Sequence, residues 1–454
     1  MATEEEKLVA SLDRDLQGGR KKIERYDRYY EGEQPLRYMA LALEAEIGDR
    51  VTQLVVNFPW LGVEAYDHRL DLHGFRCPTK AMTGRIHDWW KAIDGDELAG
   101  FAFKDSLALS RSYAIVGAGD AKDDPPILTV EDPRQVITKR DPRTRDVTSA
   151  IKRWKEDDGS QWAQLYLPNV TITFRRANRG WSEDARDEHN LGMVPVVPLV
   201  NNPRTLRPDG RSEIHDVIPL ADAVNKMATD MMVSGEYHAM PRRWALGFTE
   251  KDFVDESGQR LSTWSQVAGR IWGSEKGPKE AEVGQFQESD LAVFHNSIRL
   301  LAQLIGQMLA LPASYVNFTT DNPPSAEGVK ASESRTIKRA ERKQGNLSTP
   351  VKTITRLGDR ILTGKWDPKA RLIEVKWRDP ATPTRAQTAD AMVKLVGEGK
   401  PIIPVEQAWE ELNYTEEQKA QFRTWFEEEA RRSLSGLSDL GFGPKPDNSG
   451  NAAA

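Results

Sequence analysis

Six basic side chains fall within fourteen residues in the second half of the chain, a density that suits contact with a polyanion. They are Lys330, Arg335, Lys338, Arg339, Arg342 and Lys343. Spacings of three and four place most of them on one side of a helix. Because Glu333 and Glu341 lie among them, the pattern predicts either a solvated helix face or a surface that faces a polyanion.

A second pattern, Gly358–Lys365, superficially resembles a phosphate-binding loop. Its spacing is one residue too long, and Trp366 stands where a serine or threonine would bind magnesium. No predicted strand leads into it, so we interpret it as the C-terminal end of a helix.

Metal chemistry has weak candidates. His68, His73 and Cys77 lack the tight pairs and the fourth ligand of a structural zinc site. The acidic runs Asp120–Asp124 and Asp184–Glu188 lack calcium-loop spacing and are predicted to be solvated loops. Nucleophile motifs and dinucleotide fingerprints are not found either. We therefore predict neither an enzyme, nor a metal site, nor a cofactor.

The N-terminal elements that would position these side chains are mostly helical. Residues 4–17 and 20–31 predict two helices separated by Gly18-Gly19, with Gly32 at the end of the second. Apolar periodicity predicts another helix over 41–58, ending before Pro59, and residues 82–115 suit two more.

From Ala114 the period changes to two, which predicts an antiparallel meander. The predicted strands are Ile127–Val130, Gln135–Thr138, Ala150–Trp154, Gln161–Leu167, Val170–Arg175 and Val194–Val200. Turn formers separate them, and tryptophans in this region are expected in its core or at its edges.

Two apolar helices, over 212–237 and 289–311, flank an irregular insert with short strand patterns. Ser212 is predicted to cap the first helix, and Pro219 marks a kink or a later start. Their predicted packing residues are Val217, Val224, Met231, Phe294, Ile298, Leu301, Ile305 and Met308. Helices this apolar predict an elongated subunit that packs beside copies of itself.

Composition bounds the remaining possibilities. The chain has 454 residues, 29% of them charged, and a mean hydropathy of −0.60, which predicts a soluble protein of two to four domains. No apolar run approaches the roughly 18 residues of a membrane span, and the N-terminus lacks signal-peptide features. The single cysteine, Cys77, excludes an internal disulfide. Synthesis in the cytosol is expected.

The net charge of −6 comes from 63 basic and 69 acidic residues. Proteins that wrap DNA tightly usually carry a basic footprint, so this balance argues against tight wrapping. It remains compatible with a channel through which DNA slides.

The order of these elements resembles that of the portal (head-to-tail connector) proteins of long-tailed bacteriophages. The similarity covers roughly residues 20–430, and its most telling segments lie in order along the chain. They are Tyr26-Asp-Arg-Tyr-Tyr-Glu-Gly-Glu-Gln-Pro-Leu, Val55-Val-Asn-Phe-Pro-Trp-Leu-Gly-Val, Leu72-His-Gly-Phe, Asn201-Asn-Pro, Gly210-Arg-Ser-Glu-Ile, Leu311-Pro and Asn322-Pro-Pro-Ser-Ala-Glu-Gly-Val-Lys.

The resemblance implies an α+β fold with a mainly helical wing, stem and crown, a β-rich part of the wing and a small α/β clip. Its regions map to a wing at 1–211, stem helices at 212–237 and 289–311, a clip at 238–288, a tunnel loop at 312–324, a tunnel helix with more wing at 325–380, and a crown at 381–433. Residues 434–454 are predicted to be a disordered tail.

The resemblance also implies a ring of twelve subunits at one vertex of the capsid of a virion, assembled in the host cytoplasm. Double-stranded DNA would pass through its channel during packaging, retention and ejection. The implied partners are a terminase large subunit, a tail adaptor, and the major capsid and scaffolding proteins, without a membrane. The alternative is another virion component, such as an adaptor or minor capsid protein.

The implied DNA contacts carry no sequence preference. In the tunnel loop they are Tyr315, Asn317, Phe318, Thr319 and Asn322. The six basic residues of the following helix are expected to face either DNA or the acids of a neighbouring subunit.

Overall fold

The computed structural model describes most of the chain, with gaps. The described residues are 3–35, 54–119, 121, 124–177, 180–239, 243–247, 282–285, 291–316, 326–381, 385–397, 402–412, 414 and 416–439. The helix predicted over 41–58 falls largely outside them, as do most of the clip and the end of the C-terminal tail.

Helices form much of the described chain. They are α1 (Glu4–Glu31), α2 (Phe58–Asp67), α3 (Lys80–Ala92), α4 (Gly95–Leu109), α5 (Ile218–Ala239), α6 (Ala292–Leu309), α7 (Ala313–Val316), α8 (Ala326–Thr363), α9 (Arg385–Val396), α10 (Val405–Glu411) and α11 (Glu416–Asp439), with a 3-10 helix at Pro368–Leu372. None of these described helices is both long and apolar enough to cross a bilayer.

Short strands separate the helices. They are β1 (Leu72–Arg76), β2 (Arg111–Gly117), β3 (Ile127–Glu131), β4 (Val136–Arg140), β5 (Val147–Lys155), β6 (Gln161–Tyr166), β7 (Thr171–Ala177), β8 (Gly180–Asp187), β9 (Val196–Val200), β10 (Arg243–Leu246), β11 (Glu282–Gln285) and β12 (Glu374–Trp377).

The chain divides into two compact units. The first holds Met1–Asp71 and Phe75–Val375, and the second holds Leu72–Gly74 and Lys376–Ala454. The expectation of a mixed α and β fold is confirmed.

The meander is a five-stranded antiparallel sheet in the order β4-β5-β6-β7-β8. One face packs on α1, where Val9, Leu12 and Leu16 join a buried cluster with Leu165 and Phe174. The fifth strand, β8, was not predicted. Its sequence, which contains Asp184 and Asp187, resembled a loop because only Trp181 of this strand is buried.

A second sheet has the order β3-β2-β9, with both pairs antiparallel. The Ser112 hydroxyl at the start of β2 donates a hydrogen bond of 2.6 Å to the carbonyl of Ala102 in α4. This contact ties the sheet to the helix that precedes it.

Helix α1 corrects one prediction, because it runs unbroken through Gly18-Gly19. Burial of its apolar stripe against the sheet outweighs the low helix propensity of two glycines. It ends at Gly32 in the left-handed conformation, as predicted, with φ of 76°.

Helix α5 begins at Ile218, one residue before Pro219, which confirms a late start. The prediction that Ser212 caps this helix is wrong. Its hydroxyl accepts from the backbone N–H of Ile214 at 3.3 Å and also contacts the carbonyl of Ala108, so it fixes the approach to the stem.

Helix α8 is long and crosses both Gly345 and Pro350. Gly358, part of the pattern that resembles a phosphate loop, lies in this helix, where a Cβ would stand 2.4 Å from the Trp89 ring. The helix ends before Gly364, which has a φ of 68°. This placement confirms a helix C-terminus, and Gly358 serves close packing.

The second unit contains α9, α10 and α11. Trp409 of α10 lies 5.4 Å from Phe422 and 5.6 Å from Phe426 of α11, measured between ring centroids. Helix α11 continues to Asp439, so the start predicted for the disordered tail is too early.

Candidate functional site

Described elements flank the predicted tunnel loop on both sides. Four of its five predicted contact residues lie outside the described residues: Asn317, Phe318, Thr319 and Asn322. Tyr315 lies in α7 with a side chain that is 39% exposed, and its hydroxyl accepts a hydrogen bond of 3.3 Å from Arg69 Nη2. The flanks of the loop therefore have defined positions.

Two carbonyl groups at the end of α6 are held by side chains from other helices. The Tyr66 hydroxyl of α2 donates to the carbonyl of Leu309. The Thr336 hydroxyl of α8 donates to the carbonyl of Ala310, which has a left-handed φ of 56°. Helix ends leave such carbonyls without helical partners, so these bonds stabilise the turn into α7.

Glycines allow very close packing at the same place. A Cβ on Gly306 would lie 2.9 Å from Val316 Cγ2, and one on Gly62 would lie 2.7 Å from Leu309 Cδ1. Both distances are shorter than ordinary van der Waals contact. The end of α6 is thus packed directly against α7 on one side and α2 on the other.

Arg69 joins three elements around the base of the loop. Its side chain is buried, and Nη2 lies 3.3 Å from Glu333 Oε1 of α8 as well as 3.3 Å from the Tyr315 hydroxyl of α7. Gln344 Nε2 donates to the Arg69 carbonyl at 3.0 Å. The chain after α2 is therefore fixed to both flanks of the loop.

A buried ionic cluster lies around Glu213, just before α5. Its carboxylate is fully buried and pairs with Lys343 at 2.5 Å, while Arg339 approaches the other oxygen. Lys343 Nζ also donates to Asn201 Oδ1 at 2.8 Å, and Asn202 Nδ2 donates to Glu213 at 2.9 Å. The cluster connects the end of β9, the approach to the stem and the tunnel helix.

Electrostatics favour the ionised form of this carboxyl. Burial alone would raise the pKa of Glu213, but the charges of Lys343 and Arg339 outweigh burial and hold it below its ordinary value. Both cations also lie 5.1 Å from the centroid of the Tyr66 ring, which adds a cation–π contact.

The six basic residues do not act as one surface. Lys343 is 3% exposed and pairs inside the subunit, so its assignment to DNA or to a neighbouring subunit is corrected. Arg339 likewise turns towards Glu213 and the carbonyl of Met308. A buried carboxylate without a counter-charge is costly, which explains why Lys343 and Arg339 pair with Glu213.

The remaining basic residues of α8 are more exposed. Arg335, Lys338 and Arg342 are all exposed, but Lys338 pairs with Glu341 at 2.6 Å. The side chain of Lys330 is outside the described residues.

The two predicted stem helices pack against each other within the subunit. Val217, Val224 and Ile305 are fully buried. Met231, Phe294, Ile298 and Leu301 are half-buried, and Met308 is 46% exposed. The predicted stripe thus divides into an inner part, which packs inside the subunit, and an outer part.

An apolar row on α6 is not covered by the subunit's described residues. Val293 is 62% exposed, Leu300 57%, Leu304 40% and Met308 46%. Spacings of seven, four and four place these residues on one helix face, which we call the α6 stripe. An uncovered row of this kind indicates an interaction surface.

Tyr66, Arg69 and Glu213 are structural residues of this site that the sequence did not reveal. Glu213 follows a serine at what resembled a helix start, so its charge suggested a helix-dipole role. Nothing in the local pattern indicates its partner 130 residues away.

A family model for phage portal proteins, described as SPP1 Gp6-like, matches residues 11–433 of the chain. This chain belongs to that family of phage portal proteins. It is therefore a structural phage portal protein rather than an enzyme, and the alternative of an adaptor or minor capsid protein is set aside.

Two phage relatives agree with the family. The portal proteins of Mycobacterium phages D29 and L5 are each 32% identical over 425 residues, which cover 91% of this chain and 86% of theirs. A chain from the neck of a native gene transfer agent particle, computed with C12 symmetry, is 12% identical with a TM-score of 0.44, covering 82% of this chain and 92% of its own.

Proposed function

We propose that this portal-family chain assembles into a closed ring of twelve copies at one vertex of the capsid. Its channel passes double-stranded DNA during packaging, holds the genome and releases it at infection. The regions serve as a wing (1–211), stem (212–237 and 289–311), clip (238–288), tunnel loop and helix (312–380) and crown (381–433).

The α6 stripe carries this proposal. Fully burying an exposed side chain of this kind contributes about 1.5–3 kcal/mol. The four side chains are 40–62% exposed, so covering the rest of their surface favours association. A ring with heterologous contacts uses different patches on the two sides of each subunit, which allows the stripe to meet a non-identical surface of its neighbour.

The proposed gate is the segment between α7 and α8. The fixed flanks at Tyr66, Arg69 and Thr336 support it, because a gate requires an anchored base. DNA contact through Tyr315 is proposed to be independent of sequence. The exposed Arg335 and Arg342 are proposed to face the acids of a neighbouring subunit, the other role that the sequence left open for them.

Docking is proposed at the two ends of the ring. The clip would contact the terminase large subunit during packaging and a tail adaptor afterwards. The wing would contact the major capsid and scaffolding proteins, with assembly in the host cytoplasm.

The experiment that tests the stripe is Leu304→Asp, which places a charge in the proposed subunit interface. Because Leu304 is exposed within the subunit, folding should persist while the ring dissociates. Light scattering after size exclusion measures the mass, and circular dichroism checks the fold.

Arg299→Asp is the matched control, since it introduces the same side chain at an exposed polar position of α6 that lies about 140° around the helix from Leu304. We expect this variant to assemble like the unmodified chain. Full assembly of Leu304→Asp would contradict an interface at the α6 stripe.

A further inference from the structure

Cations are concentrated where α1 meets the loop 201–211 that leads from β9 towards the stem. They are Lys22 and Arg25 of α1, Arg111 at the start of β2, and Arg207 and Arg211 of the loop. We call this group the α1 cation cluster. Beside it, the His215 ring shares a hydrogen bond of 2.5 Å with the Tyr26 hydroxyl of α1.

Close contacts define the cluster. Arg111 Nη2 lies 3.9 Å from the position that a Cβ on Gly19 would take. Lys22 Nζ lies 5.8 Å from the Tyr26 ring centroid, and Arg25 Cζ lies 5.6 Å from the ring of Tyr29. The rings of Tyr26 and Tyr29 in α1 therefore lie next to two of the charged side chains of the cluster.

The cluster carries an excess of positive charge. Two carboxylates pair with it among the described residues: Asp209, 3.2 Å from Arg111, and Asp216, which contacts Arg211. Partial desolvation, and then the positive charges of Arg111, Arg207 and Arg211, lower the pKa of the Lys22 ammonium. The carboxylates of Asp209 and Asp216 therefore neutralise only part of the positive charge of the cluster.

Unused hydrogen-bond donors point to a ligand. The Nε atoms of Arg25, Arg111 and Arg211 are buried and have no hydrogen-bond partner in the described part of the chain. Buried polar groups in folded proteins almost always have a partner. Because those three atoms are themselves buried, an oxyanion would bind through the exposed Lys22 ammonium and Arg207 guanidinium, which pair with no carboxylate in the described residues.

The surroundings favour a polyanion over a protein partner. Leu206, 94% exposed, is the one exposed large apolar side chain among the described residues of α1 and the loop 201–211. Protein interfaces have an apolar centre, whereas nucleic-acid interfaces are polar and strongly positive. Guanidinium groups also match phosphate geometry with two parallel hydrogen bonds.

We propose that the α1 cation cluster binds the phosphate backbone of duplex DNA without sequence preference. The inference rests on the proposed function, which supplies the DNA. It moves the main phosphate contact away from the tunnel helix, where Glu213 and Glu341 neutralise Arg339, Lys343 and Lys338.

The test compares two double variants of the full chain, each of which loses two positive charges. Lys22→Gln with Arg207→Gln changes exposed members of the cluster, and Lys338→Gln with Arg342→Gln changes exposed cations of α8. Fluorescence anisotropy with a duplex of about 30 base pairs gives the affinity at several salt concentrations.

We expect the cluster variant to bind about tenfold more weakly and to lower the slope of log K against log salt by about 2. The α8 variant should change affinity by less than about twofold. Equal loss in both variants, a larger loss in the α8 variant, or no binding by the unmodified chain would each overturn the proposal.

Asp216→Asn is expected to increase DNA binding, a result that misfolding would not produce. Removing this carboxylate frees Arg211, so duplex binding should tighten about threefold, and unchanged or weaker binding counts against the site.

Light scattering on the same samples separates the outcomes. Loss of rings with intact DNA binding in the cluster variant would instead make the cluster a subunit contact, and failure of the unmodified chain to form rings would refute the proposed function alone.

Discussion

Glu213 shows how a single carboxylate joins distant parts of the chain. It is fully buried, and it pairs with Lys343 and Arg339 of the tunnel helix while Asn202 donates to it from the turn after β9. Its value lies in positioning, because a buried ion pair adds little net stability yet is costly to break. The stem approach and the tunnel helix are thereby held in one arrangement.

Glu213→Gln should destabilise the subunit strongly. The change leaves the Lys343 ammonium buried without its counter-charge, which costs about 3–5 kcal/mol. Urea unfolding at neutral pH measures this cost. Glu341→Gln is the control, since Glu341 forms an exposed pair, and its effect should stay below about 1 kcal/mol.

The difference between Glu213→Gln and the unmodified chain should shrink in acid. The folded pKa of Glu213 is lowered, so its stabilising effect is present above the unfolded value and is lost as the pH falls through the folded value. A stability difference of the same size at neutral and strongly acidic pH would refute the ionic role.

For Asp105 we expect the opposite pH dependence of stability. Burial, and then the charges of Asp132 and Asp27, raise its pKa to about 6. In the unfolded chain the Asp105 carboxyl ionises near pH 3.8, below its folded pKa of about 6. The stability of the fold therefore declines as the pH rises from 3.8 to about 6, and the loss of stability stays constant above that. Asp105→Asn should therefore raise Tm at pH 7.5 by about 3 °C or more and have little effect near pH 3.

Asp88→Asn is the matched control for Asp105, because Asp88 is exposed on α3. We expect no pH-dependent gain in its Tm. If Asp105→Asn gave a pH-independent shift, the side-chain ionisation would not be its cause.

At the scale of elements, helix α1 shows where sequence reasoning succeeds and fails. The apolar stripe through Val9, Leu12 and Leu16 and the stop at Gly32 are local signals, so they were predictable. Continuity through Gly18-Gly19 depends on burial against a sheet about 140 residues later, which no local pattern contains.

Gly18→Ala should stabilise the chain by about 0.5–1 kcal/mol, because alanine favours the helix and no atom lies within 4 Å of the added Cβ. Gly62→Ala is the contrasting variant in α2. Its Cβ would lie 2.7 Å from Leu309 Cδ1, so the urea midpoint should fall. A midpoint that rose with both changes would contradict the close packing of α2 on α6.

The sequence predicted the candidate site only in part, because local patterns do not contain tertiary contacts. The periodicity of 212–237 and 289–311 predicted two helices that the structure contains, although the first begins at Ile218. The basic residues of α8 were visible as a row, but Lys343 proved buried. Whether a charge faces solvent or a buried acid depends on tertiary contacts such as that with Glu213, and sequence spacing does not contain them.

At the scale of the whole molecule, membership in the phage portal family agrees with two surfaces that the described residues of the subunit leave at least partly exposed. The α6 stripe is apolar and suits another copy of the chain, whereas the α1 cation cluster is charged and suits a polyanion. We propose that the first builds the ring and the second contacts the DNA.

The most direct test of ring assembly is electron microscopy of the purified full chain. We expect closed rings with a central opening, in which the α6 stripe of each subunit is covered by its neighbour. Particles that stay monomeric at high concentration, or rings in which Leu300 and Leu304 face solvent, would contradict it.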